Sequence, residues 1–260
     1  MYTMGLDIGS TTSKGVIIKD GEEIVASVLV PVGTGTSGPL KLIKELKEKS
    51  NLTEKDIEKT VVTGYGRIQY KDADKQISEL SCHAKGVAFL IPGARTIIDI
   101  GGQDAKAMKL NNKGKLINFI MNDKCAAGTG RFLDVMAGVL ETDVSKLGEI
   151  SEKSTKEVSI SSTCTVFAES EVISHLSANA KKEDIVAGIH TSVVRRVSTL
   201  AMRVGIEDQV VMVGGVARNK GIVKAMEKEL GHDIKVPKLA QLTGALGAAI
   251  YAFEEQNRFN

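Results

Sequence analysis

Apolar and polar positions along the chain fall into short alternating runs separated by longer stretches of helical period. Leu6-Asp7-Ile8-Gly9-Ser10-Thr11-Thr12-Ser13-Lys14 starts as a strand and turns on small hydroxyl residues. It resumes as Gly15-Val16-Ile17-Ile18, the pattern of a β-hairpin. Further on, Ile97-Ile98-Asp99-Ile100-Gly101-Gly102-Gln103-Asp104-Ala105-Lys106 repeats the pattern and is followed by apolar Met108 and Leu110. Asp-Ile-Gly and the later Lys recur at identical offsets, so the chain carries an internal repeat of one supersecondary unit. Between and after the hairpins, 40–49 and 77–90 read as helices and 60–63 and 210–213 as strands. That alternation predicts an α/β fold of two duplicated, hairpin-led lobes. Pro92-Gly93 punctuates the chain between them. The expected division is 1–93 and 94–260, with an Ala-rich C-terminal helix over 244–253 returning to the first lobe.

Composition narrows the functional classes. Hydrophobic residues at 42% and charged residues at 25% describe an ordinary folded chain. With 34 basic against 32 acidic residues, the net charge of +2 excludes a basic nucleic-acid footprint. No window approaches the ~18 apolar residues of a membrane span, and the N-terminus has no basic stretch before an apolar one, so the protein is expected to be cytoplasmic. Cys82, Cys125 and Cys164 are an odd number at wide spacing, which argues against a disulfide framework.

The first turn offers the backbone N–H groups and hydroxyls of Gly9, Ser10, Thr11, Thr12 and Ser13, with the cation of Lys14, to polyphosphate oxygens. Gly101, Gly102 and Gln103 form the second such turn. Asp7 and Asp99, each near the end of its strand, are suited to hold one magnesium ion, directly or through water. Facing hairpins would place both aspartates in one cleft. Val210-Val211-Met212-Val213-Gly214-Gly215-Val216-Ala217-Arg218-Asn219 is a buried-looking strand that runs into paired glycines, which permit close approach of a flat ligand.

In order, these segments resemble the two phosphate loops and the adenosine loop of the acetate and sugar kinase, heat-shock chaperone and actin superfamily. The resemblance implies two lobes closing over magnesium-ATP, with Asp7 and Asp99 organising the metal. It also implies that Gly214, Gly215, Val216 and Asn219 support adenosine, that Gln103 or Asp104 orients the attacking water, and that Gln241 is a further nucleotide contact.

Two cysteines change the picture again. Cys125 precedes apolar Phe132, Met136, Val139 and Leu140, spaced as one helix face, and Cys164 precedes Ala168, Val172 and Leu176. Both are expected just before a helix, where unpaired N–H groups and the helix dipole favour a thiolate and its ligation to a metal cluster. A four-iron cluster generally takes four thiolates, so two chains would share one, each giving Cys125 and Cys164. Cys82 is left over and reads as a buried or half-buried thiol.

Cys125-Ala-Ala-Gly-Thr-Gly-Arg-Phe-Leu, Ser-Ser-Thr-Cys164-Thr-Val-Phe-Ala-Glu-Ser-Glu and Thr63-Gly64-Tyr65-Gly66-Arg67 resemble the activators of 2-hydroxyacyl-CoA dehydratases, relatives of the ATPase subunits of benzoyl-CoA reductase. The resemblance implies a homodimer with one four-iron four-sulfur cluster, ATP/ADP and Mg2+. Such a dimer passes one electron to a transiently bound dehydratase in anaerobic amino-acid fermentation, with ferredoxin or flavodoxin as electron source. Gly128 and Thr129, inside the first cysteine segment, are expected to touch the nucleotide. The competing readings are a small-molecule kinase of the same fold and a nucleotide-switched binding module with inert cysteines.

Overall fold

The computed structural model describes residues 1–257, which form two compact units. The first comprises Met1–Ala94, the turn Leu110–Leu116 and the segment from Gln241 onward. Its strands are β1 (Tyr2–Ile8), β2 (Ser13–Lys19), β3 (Glu23–Val30), β4 (Ile57–Thr63) and β5 (Lys75–Gln76). Helix α1 spans Gly38–Ser50 and α2 spans Glu79–Leu90. The second unit holds β6 (Thr96–Ile100), β7 (Ala105–Leu110), β8 (Leu116–Asn122), α3 (Gly130–Val139), α4 (Leu147–Ser151), α5 (Thr165–Ser177), α6 (Lys182–Val204), β9 (Val210–Val213), α7 (Lys220–Leu230) and β10 (Ile234–Lys235). Helix α8 (Thr243–Gln256) belongs with the first unit.

The two sheets are duplicates. One runs β3-β2-β1-β4-β5, and the other, read from its far edge, β8-β7-β6-β9-β10. In each, a hairpin strand pairs antiparallel on one side and a later strand joins parallel on the other: β1 with β2 and β4, β6 with β7 and β9. β6 and β9 are buried at every position, as strands covered on both faces must be. The helix expected from Ile77 starts two residues later, because Ile77 N–H still donates to Val62 in strand fashion and Ser78 caps the helix by accepting from Ser81 N–H. No helix among the described residues is long and apolar enough to cross a membrane.

In the first unit α8 packs on α2 and on β1 at backbone distance. A Cβ added to Gly247 would sit 1.8 Å from the Cys82 carbonyl oxygen, and one on Gly86 would sit 2.0 Å from that of Thr243. Neither obstacle is a flexible side chain. Gly247→Ala is therefore expected to cost about 3 kcal/mol or more, at the upper end of overpacking penalties. Urea denaturation measures this; a loss below about 1 kcal/mol would show that the helices can separate without penalty.

Candidate nucleotide and cysteine sites

Strand register explains why Asp and Lys recur at one spacing. Asp7 lies directly across from Lys14 in the first hairpin, and Asp99 across from Lys106 in the second. Lys14 Nζ is 3.0 Å from Asp7 Oδ2, and Lys106 Nζ is 3.3 Å from Asp99 Oδ2 and 2.9 Å from Asp104 Oδ2. Asp7, Asp99 and Lys106 are all buried, so each charge needs its partner. Lys14, expected at the phosphates, and Lys106, which the sequence motifs leave without a role, are both engaged by the aspartates of their own hairpins.

The turns are equally alike. Gly9 N–H donates to Thr12 O at 2.9 Å, and Gly101 N–H to Asp104 O at 2.9 Å. A second repeated feature escaped the sequence. Gly64 follows β4 with φ +87° and Gly214 follows β9 with φ +86°. A Cβ on either would lie 2.5 Å from Oδ1 of its unit's aspartate, Asp7 or Asp99, and would meet the carbonyl of the next strand residue, Ile8 or Ile100. A left-handed glycine thus closes over each carboxylate, and each leads into a short 3-10 turn, Tyr65–Ile68 or Val216–Arg218. The Gly64 motif and the Gly214 turn are the same element in two copies.

In the second unit, Gly101, Gly102, Gly130, Gly215, Val216 and Asn219 line a cavity of about 320 Å³, within the range of small-ligand sites. Leu133, Asp134, Val144, Ser145 and Arg218 complete it; Leu133 and Arg218 stand inside quoted motifs without an assigned role, and Asp134, Val144 and Ser145 belong to none. Asp134 stands on α3 off the Phe132/Met136 face, so helical period alone could have marked it as exposed. Gln103 lies exposed in the second turn, and Gln241, before α8, is not among the residues lining the cavity. Ser10 and Thr11 are exposed at the tip of the first turn. Ser13 is buried with its hydroxyl donating to Val32 O, and Thr129 is buried with its hydroxyl donating to Ala126 O. Gly128 turns with φ +85° against the Arg196 side chain on α6. These last three hold backbone in place instead of lining the cavity.

Cys164 is the N-cap residue of α5. Cys125 departs from the expected equivalence: Ala126–Gly128 intervene before the cap at Thr129, because the left-handed Gly128 cannot continue a helix backwards. The two cysteine segments nevertheless meet, with Cys125 Sγ 4.0 Å from the carbonyl oxygen of Thr163. Both thiols are half-buried and free. Thr165 Oγ1, one residue after Cys164, is buried without a hydrogen-bond partner among the described residues. Soft sulfur donors on adjoining segments, part exposed and beside an unspent hydroxyl, fit part of an iron-sulfur ligand set. Cys82 is fully buried between β4 and α8, and burial pushes its thiol up to about 12, the state of an inert cysteine.

The chain matches the BadF/BadG/BcrA/BcrD ATPase family over residues 4–252. It is 70% identical over 255 residues to a 2-hydroxyisocaproyl-CoA dehydratase activator of Clostridioides difficile, covering 98% of this chain and 96% of that protein. It is 59% identical over 256 residues to the (R)-2-hydroxyglutaryl-CoA dehydratase activating ATPase of Acidaminococcus fermentans, covering 98% of each. The structure of the Clostridium difficile activator with bound ADPNP superimposes with a TM-score of 0.97 at 69% identity, over 100% of this chain and 97% of that one. A ROK family glucokinase from Streptomyces griseus, in complex with glucose and AMPPNP, superimposes with a TM-score of 0.59 at 13% identity, over 98% and 100%. The fold is the two-lobed actin-like ATPase fold, as the duplicated hairpins imply.

Proposed function

Because this chain belongs to the BadF/BadG/BcrA/BcrD ATPase family, we propose that it is a homodimeric electron donor that uses ATP hydrolysis to activate a 2-hydroxyacyl-CoA dehydratase. One observation carries the coupling of nucleotide to cysteine. The first N–H groups of α3 donate into the second phosphate turn, Gly130 to Gly101 O at 2.9 Å and Arg131 to Gly102 O at 2.8 Å. The residues that lead into that helix include Cys125. Any shift of the 101–102 turn on binding or losing the γ-phosphate therefore pulls directly on the segment that holds one thiol.

In this reading, the Gly9–Thr12 and Gly101–Gln103 turns bind the phosphates, Asp7 and Asp99 hold magnesium, and the 320 Å³ cavity takes adenosine. Gln103 or Asp104 orients the attacking water; Asp104 already spends one oxygen on Lys106, so exposed Gln103 is the freer of the two. Cys125 and Cys164 from each of two copies hold one four-iron four-sulfur cluster, which when bound stores and releases a single electron. Apolar Val166, Phe167 and Ile173 stand exposed on α5 directly after Cys164, the kind of surface a second copy covers. Lowering a one-electron potential by about 300 mV requires about 7 kcal/mol, a feasible share of nucleotide binding and hydrolysis. A ferredoxin or flavodoxin supplies the electron, and the dehydratase binds transiently.

The test is reconstitution. An inactive 2-hydroxyacyl-CoA dehydratase should gain activity when mixed with a small fraction of this protein, a reductant and Mg-ATP, and none when ATP or reductant is left out. Activation without ATP would overturn the coupling. A phosphorylated small-molecule product in place of free phosphate would instead install the kinase reading, which leaves both half-buried cysteines without a role.

A further inference from the structure

Behind the proposed adenosine cavity, α6 places a histidine that no phosphate or cluster motif includes. His190 is 2% exposed, and its Nε2 lies 3.1 Å from Asn219 Nδ2. Asn219 lines the cavity and caps α7, its Oδ1 accepting the Ile222 N–H at 3.2 Å. That cap fixes the amide orientation: with Oδ1 committed to Ile222, the NH2 group must face the ring, so His190 Nε2 is the acceptor and its proton sits on Nδ1. Burial pushes His190 down to about 4, which keeps the ring neutral and its Nε2 lone pair available near neutral pH. Two more elements grip the same pair. A Cβ on Gly148 of α4 would stand 3.0 Å from Asn219 Oδ1, and one on Gly221 of α7 would stand 2.9 Å from His190 Nδ1. The amide is therefore boxed in by α4, α6 and α7.

We propose that His190 is a positioning residue for the nucleoside: by accepting from Asn219 it locks the amide and the first turn of α7 into the cavity wall. The inference rests on the reading of that cavity as the adenosine site. Without a ring acceptor the part-buried Asn219 NH2 group loses its partner, the amide is free to flip, and a flip turns an N–H toward the Ile222 N–H and undoes the cap. The loss falls on the nucleoside wall, while the phosphate turns are left as they are.

Direct binding measurements test this on the full-length protein. His190→Leu is expected to weaken ATP binding about tenfold while leaving inorganic tripolyphosphate affinity within twofold. His190→Gln, which returns an acceptor near the Nε2 position, should restore most of the ATP affinity. ATP affinity that is unchanged in His190→Leu, or equally weakened for tripolyphosphate and not rescued by Gln, overturns the proposal. Asn219→Ala separates the two layers. If it leaves ATP binding intact, the cavity assignment itself fails and the proposal with it; if it weakens ATP and His190→Leu does not, only the role of His190 fails. Should His190→Leu not fold, ring-nitrogen NMR of the unaltered protein carries the test. An Nδ1–H tautomer whose Nε2 signal moves on ATP addition is expected, and a protonated ring or an Nε2 signal indifferent to ATP contradicts it.

Discussion

Cys164→Ser is expected to yield a folded protein that retains no iron and activates the dehydratase more than about a hundredfold more weakly, since hydroxyl oxygen is a poor substitute for thiolate at an iron-sulfur cluster. Cys125→Ser should behave the same way, although the two residues differ locally. Cys164 caps α5, whereas Cys125 sits in the turn before α3 and reaches the Thr163 carbonyl. The matching control is Cys82→Ala. Its thiol is sealed between β4 and α8 and held protonated, so iron content should not change. Nucleotide binding is the second readout on the serine variants. Because neither cysteine lines the cavity that Gly101 and Gly102 border, ATP affinity should stay within about threefold of the parent, a difference below 1 kcal/mol. Iron retained in either serine variant would exclude that cysteine as a ligand.

Asp99→Asn should lower magnesium-dependent ATP hydrolysis by about a hundredfold or more, as expected when a preorganised charge that holds the metal is lost. Its fold should survive. Lys106 keeps Asp104 at 2.9 Å, so the buried ammonium is not abandoned. Asp7→Asn should lower hydrolysis comparably, and it also removes the carboxylate 3.0 Å from Lys14 Nζ. The converse change is harsher on stability: Lys106→Met leaves Asp99 buried without its cation, and breaking such a pair costs about 3–5 kcal/mol. Phosphate release at saturating Mg-ATP, with urea midpoints alongside, measures both effects. Hydrolysis within threefold of the parent in Asp99→Asn would remove Asp99 from the metal site.

The hairpin duplication was legible in the sequence because it is written in charge. Asp and Lys at fixed spacing around a Gly turn survive in both copies, and strand register turns that spacing into a direct cross-strand pair. The duplication of Gly64 and Gly214 was not legible. Their function lies in a positive φ and in the absence of a Cβ beside Asp7 or Asp99, and neither has a signature beyond one glycine after an apolar strand. The start of α3 was misplaced for a related reason. Periodicity finds a buried face, here Phe132 and Met136, but the first residue of a helix is set by local backbone, here Gly128 and the cap at Thr129. Lys14, Ser13 and Thr129 look like ligand-binding side chains in sequence, and within the chain they also contact Asp7, Val32 and Ala126. His190 is the reverse case. In sequence it is one polar residue inside a long amphipathic helix, and only packing brings it against Asn219.

The most direct test of the central claim is the metal content and mass of protein purified without oxygen. An iron-sulfur electron donor of the proposed kind should contain about two irons and two acid-labile sulfides per chain, because one four-iron cluster is divided between two copies. Its mass in solution should be twice that of the 27.7 kDa chain. A colourless monomer that takes up no iron after anaerobic reconstitution would contradict the account and leave Cys125 and Cys164 without the role assigned to them.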